Sequence, residues 1–265
     1  MMKYKQVAPT EANAPEASAT VTLPNPWVAV IVVIVAFLVS SVIAQQLVSI
    51  YPALHHWSVR RTTDWLNTSV WPQFFYILLA YSMLLGTIIW FLQRLRIPLS
   101  AIGLNRPKWR HLGYALAALP LYYFGYYIII TVVSQLVPSL NINQKQQIGF
   151  SSVQGFLPLL VTFLSLAVIP PIVEEMVMRG FLFSSLRAKL ALPVATIITS
   201  VLFAIGHLQF GSGAPLLWIA ALDTFTLSLF LIYLRQKTDS LWASIALHAL
   251  KNTTAFAFIF IFHQS

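Results

Sequence analysis

The hydrophobic positions of this chain fall in long unbroken runs rather than in alternating or amphipathic patterns. Runs of about 20 apolar residues are long enough to cross a bilayer as helices. Seven such stretches can be marked: Trp27–Val48, Phe74–Leu92, Leu112–Val133, Phe156–Val177 (continuing to Leu186), Pro193–Leu208, Ala214–Leu234 and Leu241–Phe262. They predict an all-α, polytopic integral membrane protein, with about seven transmembrane helices around a polar intramembrane cavity. Residues 1–26 lack periodicity, are rich in Ala, Pro, Thr and Glu, and read as a disordered cytoplasmic tail. Residues 27–265 then form a single transmembrane domain. The first span begins too late and runs too long for a cleaved signal peptide, so it reads as an anchor.

The links between the runs differ in character. Tyr51 to Pro72 holds His55 and His56 among Trp57, Trp65 and Trp71. Adjacent histidines diverge on a helix, so a headgroup-level segment is the better reading than a metal site. The basic link from Arg94 to Arg110 reads as a surface piece touching anionic lipid. Tyr114, Tyr122, Tyr123, Tyr126 and Tyr127 read as an interfacial belt in preference to the lining of a cavity. Residues 138–154, with Asn141, Asn143, Gln144, Gln146 and Gln147, read as a polar external loop. Gly211–Pro215 is a sharp break.

Composition sharpens this picture. The chain is 58% hydrophobic and 9% charged, with a mean hydropathy of +0.77, whereas a soluble domain carries about 25% charged residues. The net charge of +9 invites a nucleic-acid partner, but the basic residues flank the apolar runs and form no aromatic-interleaved patch. They follow the positive-inside rule instead. With the N-terminus inside, eleven Lys and Arg fall in cytoplasmic segments and three (Arg60, Arg61, Lys145) in external ones. The expected orientation is N-terminus cytoplasmic and C-terminus periplasmic, in a bacterial inner membrane, with the bilayer as partner and no nucleic acid. The chain has no cysteine, which excludes disulfides, thiolate metal sites and S-acylation.

Against that background the stretch Pro170-Pro171-Ile172-Val173-Glu174-Glu175-Met176-Val177-Met178-Arg179-Gly180 stands apart. An ionisable group at bilayer depth costs several kcal/mol, so a cluster of them is a functional-site hypothesis. Glu175 and Arg179 are i and i+4 on a helix and can pair. Glu174, about 100° round, is left without a local partner. The prolines free backbone carbonyls that something polar must satisfy.

Two further polar sets follow. Phe203 to His207 ends one apolar run, and His248 and Asn252 share a face of the last one. Glu174 lies sixteen residues before Leu190 and His207 sixteen after Ala191, so a hairpin turning there sets the two side chains at one height. Each residue also has a plain structural reading. His207 could end a helix at an interface, and His248 and Asn252 could bond neighbouring helices for about 0.6–2 kcal/mol. Asp223 with Lys251 could be a buried neutral pair.

Together the set fits hydrolysis. A carboxylate in an apolar site can take a proton from water. A histidine beside it can orient that water or protonate a leaving amine, and a second histidine with an amide can donate to an oxyanion. Equally, Glu174, His207 and His248 could hold zinc or another divalent metal. No His-Glu-x-x-His pair is present.

These residues resemble the motifs of the CAAX-protease and bacteriocin-processing (CPBP, or Abi) family of intramembrane proteases, related to the type II CAAX prenyl endopeptidase. The resemblance covers roughly residues 75–262. Its Glu-Glu-x-x-x-Arg is met by Glu174, Glu175 and Arg179, its Phe-x-x-x-His by Phe203 and His207, and its His-x-x-x-Asn by His248 and Asn252. Ile102-Gly103-Leu104 and Arg106-Pro107 also look like the segment preceding the third span in such proteins. The resemblance implies an endopeptidase acting on a membrane-associated peptide or protein. Glu174 would be the water-activating base, His207 its partner, His248 and Asn252 oxyanion stabilisers, and Glu175, Arg179 and Phe203 supports. Members are described both as metalloproteases and as metal-free glutamate enzymes, so the metal stays open. Met178 departs from the aromatic common before the arginine. The competing reading is a non-catalytic immunity or scaffold protein that binds a peptide with the same fold; a proton-coupled transporter using Asp223 and Glu174 lacks paired broken helices.

Overall fold

The computed structural model describes residues 22–144, 150, 153–209 and 215–262. Most of the N-terminal tail, Lys145, Gln146, Gln147 and residues 211–214 of the expected break lie outside that set. Among the described residues there are helices and no strand.

The first helix, α1 (Pro26–Leu54), opens on Asn25, whose side chain accepts the Trp27 N–H at 3.0 Å, with Pro26 pre-set for the first helical position. Its buried positions, Ala29, Val33, Ala36, Ser40, Ala44 and Val48, recur every three or four residues. They make a seam of small side chains that lets α3 (Val70–Arg94) approach closely, as membrane helices do. Ile31, Val35, Leu38 and Val42 face outward. Between them α2 (Val59–Thr68) buries no residue. Tyr51, Trp57 and Trp65 gather their rings beside it, and the Arg61 guanidinium lies 4.1 Å from the Trp57 ring. His55 bonds back to the Tyr51 carbonyl, and no group of three His, Asp or Glu converges there or elsewhere among the described residues to hold a metal.

Helix α4 is Trp109–Leu136, and the fourth span, α5, is Phe156–Arg187. Then come α6 (Leu192–Ile205), α7 (Trp218–Thr238) and α8, which runs from Leu241 to Phe262. Six of these, α1, α3, α4, α5, α7 and α8, are long and apolar enough to span. The expected span Pro193–Leu208 is corrected: its helix stops at Ile205 after 14 residues, roughly 21 Å against a core of about 30 Å. Gly206 follows, the backbone tightens into i→i+3 bonds, and the chain closes a loop from Leu208 to Leu217 (N···O 3.0 Å). Gln144, from the link before α5, bonds to the Leu216 carbonyl at 3.0 Å.

Helix α5 is the centre. From Val173 through Phe183 nearly every side chain is buried, as befits a helix enclosed on all sides. Val177, Phe181 and Leu182 belong to the main apolar core with Ile88, Leu92, Ala195, Leu227 and Leu231. α5 is not uniform: Leu164–Val168 and Met176–Leu182 are π-helical, separated by the α-helical turns Ile169–Glu175. Wide turns of this kind are frequent at functional sites.

The basic link between α3 and α4 clasps the turn between α7 and α8. Leu241 N–H donates to the Gly103 carbonyl at 2.8 Å, and the Trp242 indole N–H to the Asn105 carbonyl at 2.5 Å. Gly103 has φ +89°, and a Cβ there would stand 2.5 Å from the Arg235 guanidinium carbon. Only glycine fits. Arg235 in turn pairs with Asp239 at 2.8 Å. The Ile102-Gly103-Leu104 motif is thus a structural clasp, set against α5 where Gly180 meets Ile102.

Candidate active site

Glu175 anchors the site. Its Oε1 accepts from Arg179 Nη1 at 2.9 Å and stands 3.0 Å from His248 Nδ1, with Glu175 and Arg179 fully buried. Fully desolvated, the pair holds only because each charge faces the other. Arg179 also lies 4.2 Å from the centre of the Phe203 ring. Phe203 meets His207 and His248 edge-on, at ring separations of 4.9 and 5.9 Å. One aromatic ring therefore spaces the cation and both imidazoles.

Glu174 is different. Its Oε1 accepts the hydroxyl of Tyr81, from α3, at 2.5 Å. Its Oε2 is 3.8 Å from His248 Nε2 and has no hydrogen-bond partner among the described residues. His248 is the imidazole in contact with the two carboxylates. With the Nδ1 proton given to Glu175, His248 turns Nε2 toward Glu174.

His207 follows the end of α6, and its Nδ1 bonds the Phe203 carbonyl at 2.9 Å, satisfying a carbonyl that the helix end leaves open. This fixes the tautomer with Nε2 as the acceptor. His207 lies within electrostatic reach of Glu174, His248 and Lys251.

Asn252 has a clear local partner. Pro170 lacks the N–H that would meet the Leu166 carbonyl four residues back, and Asn252 Nδ2 donates to that carbonyl at 2.9 Å. The amide repairs the helix and keeps a second N–H. Asp223 and Lys251 form the neutral pair read from the sequence, at 2.7 Å, with the Tyr122 hydroxyl also on Asp223. They line a groove of about 600 Å³ between α4, α7 and α8. Tyr122 therefore does more than sit in an aromatic belt; it is 1% exposed.

Among the described residues no three His, Asp or Glu side chains converge on one point that could hold a metal; Nδ1 of His207 and of His248 is committed to Phe203 and Glu175, and Nε2 of each is left for other partners. Sequence reasoning passed over Tyr81, for a lone tyrosine in an apolar run carries no signal of what it faces.

Residues 156–254 match the family model described as Rce1-like, type II CAAX prenyl endopeptidase Rce1-like. That segment contains Glu174, Glu175, Arg179, Phe203, His207, His248 and Asn252, and agrees with the resemblance carried by the motifs. Neither the curated proteins nor the solved structures gave a match.

Proposed function

We propose that this Rce1-like, multi-pass membrane protein is an intramembrane endopeptidase in which Glu174 activates water. The family match supports a CAAX-type protease at the level of the family. The observation that carries the glutamate mechanism is the division of Glu174 itself. One oxygen is held by Tyr81, and the other is turned toward His248 without a hydrogen-bond partner among the described residues. A general base needs such a free, aimed oxygen.

In the proposed reaction Oε2 of Glu174 takes a proton from water as the water oxygen bonds to the scissile carbonyl carbon. The negative charge that forms on the carbonyl oxygen is met by the second amide proton of Asn252 and by Nε2–H of His248, the ring being protonated on both nitrogens with Nδ1–H held by Glu175. The carbon–nitrogen bond then breaks, and the proton held on Glu174 passes to the leaving amine, with His207 Nε2 orienting the water. Glu175 and Arg179 hold His248 in place. The substrate class is a membrane-associated peptide or protein, and the basic ends of the helices face the cytoplasm.

The test compares membranes of cells carrying the wild-type protein with those carrying Glu174→Gln, by quantitative membrane proteomics. The expected result is a peptide that persists only with the variant. Identical peptide profiles, with peptide binding retained by both proteins, would replace the protease by a non-catalytic binding protein.

A further inference from the structure

We infer that Tyr81 is a positioning residue of the site, holding Glu174 so that a single oxygen is left to act as base. The inference rests on the glutamate reading above and deepens it. Tyr81 lies on α3, ahead of the segment that matches the family, so nothing in the match reaches it. Its hydroxyl donates to Glu174 Oε1 at 2.5 Å across 93 residues of sequence.

The geometry explains why such a contact is needed. Glu174 and Glu175 are neighbours on one helix, yet only Glu175 has a local cation. The Glu174 side chain has three rotatable bonds, and without a partner both oxygens could turn toward any donor nearby. One is present, His248 on α8, 3.8 Å from Oε2. Rotation of both oxygens toward it would leave neither free to act as base. The phenol is fixed by its own packing: Tyr81 lies against the main apolar core. A tyrosine ring rotates about only two bonds, so it loses little freedom in holding a partner.

Tyr81 donates to Oε1 whether Glu174 is ionised or protonated on Oε2, because the remaining oxygen accepts in both states. The hydroxyl therefore need not move during the proton transfer. It fixes which oxygen takes the proton and keeps that oxygen facing His248. Asn252 shows the same economy on the other side of α5, where a side chain from another helix settles a group that α5 cannot satisfy itself.

Tyr81→Phe keeps the ring and removes only the hydroxyl. In purified, lipid-reconstituted protein we expect kcat to fall about tenfold to hundredfold, the range for misplacing a reacting group. KM and the melting temperature should stay near wild type, a split that a merely structural role would not give. A second readout is independent of turnover: 3-fluorotyrosine at position 81, observed by ¹⁹F NMR, should shift in Glu174→Gln. An unshifted resonance, or a Tyr81→Phe enzyme with wild-type kcat, overturns the role. Full activity in Tyr81→Phe beside an inert Glu174→Gln would remove Tyr81 and leave the protease standing. Full activity in Glu174→Gln would remove the glutamate mechanism and this role with it.

Discussion

Replacing Glu175 by glutamine tests the division of labour between two adjacent carboxylates. The change is nearly isosteric, removing one charge and one of two acceptor oxygens. In the native site Oε1 of Glu175 serves both Arg179 Nη1 and His248 Nδ1, at 2.9 and 3.0 Å. Arg179 has no exposed surface, and its Nε and Nη2 have no hydrogen-bond partner among the described residues. Glutamine therefore strands a buried guanidinium. Breaking a buried pair from one side costs about 3–5 kcal/mol. The glutamine carbonyl can still accept from one of the two donors, and the Phe203 ring still lies against the cation, so we expect the lower end, about 3 kcal/mol. For a chain of this size that corresponds to a melting temperature lower by roughly 6–12 °C. Glu174→Gln leaves Arg179 paired and should melt within a few degrees of wild type. The assay is thermal unfolding in lipid nanodiscs, paired with peptide hydrolysis well below both transitions. There Glu175→Gln should retain most of its turnover and Glu174→Gln none. A Glu175→Gln protein that melts like wild type and loses turnover as completely as Glu174→Gln would refute the assignment of Glu175 to support.

Two more substitutions probe the frame. Gly103→Ala should destabilise by about 1–3 kcal/mol, because it strains a positive φ and drives a methyl into Arg235; a wild-type melting curve would show that the clasp yields freely. Single cysteines replacing Arg106 and Asn141, in a chain with no cysteine of its own, should label with an impermeant thiol reagent from opposite faces, Arg106 from the cytoplasmic one. Labelling of both from one face would contradict the topology.

The spans were legible because membrane helices announce themselves by length alone. Leu241 opens α8 and Phe156 opens α5, both as expected. The short α6 was misjudged because hydropathy continues through Ile205 to Leu208, while helix length is decided by Gly206 and by the His207 ring turning back on Phe203. Periodicity also misses the π-helical turns of α5. For the site, the i, i+4 pair of Glu175 and Arg179 could be read locally. The hold of Glu175 on His248 and of Tyr81 on Glu174 could not, since each joins residues far apart in sequence. Asn252 is intermediate: the sequence placed it on the right face, and the missing N–H of Pro170 was the visible clue to its partner.

The placement of these partners along the chain bears on how the protein is made. Synthesis proceeds from the N-terminus, so α5 enters the bilayer while His248 and Asn252 are still unmade. An acid inserted with no counter-charge would be resisted. Glu175 avoids this because Arg179 emerges with it, one turn later on the same helix. Glu174 finds Tyr81 already waiting on α3. The nascent segment can thus settle with both carboxylates answered by groups already translated. The last helix arrives afterwards and brings the second ligand of Glu175, the amide for Leu166 and the imidazole facing Glu174 in one docking event. Until α8 docks, the set of residues proposed for hydrolysis is incomplete, and the half-made chain carries no assembled site into the membrane it shares with other newly inserted proteins.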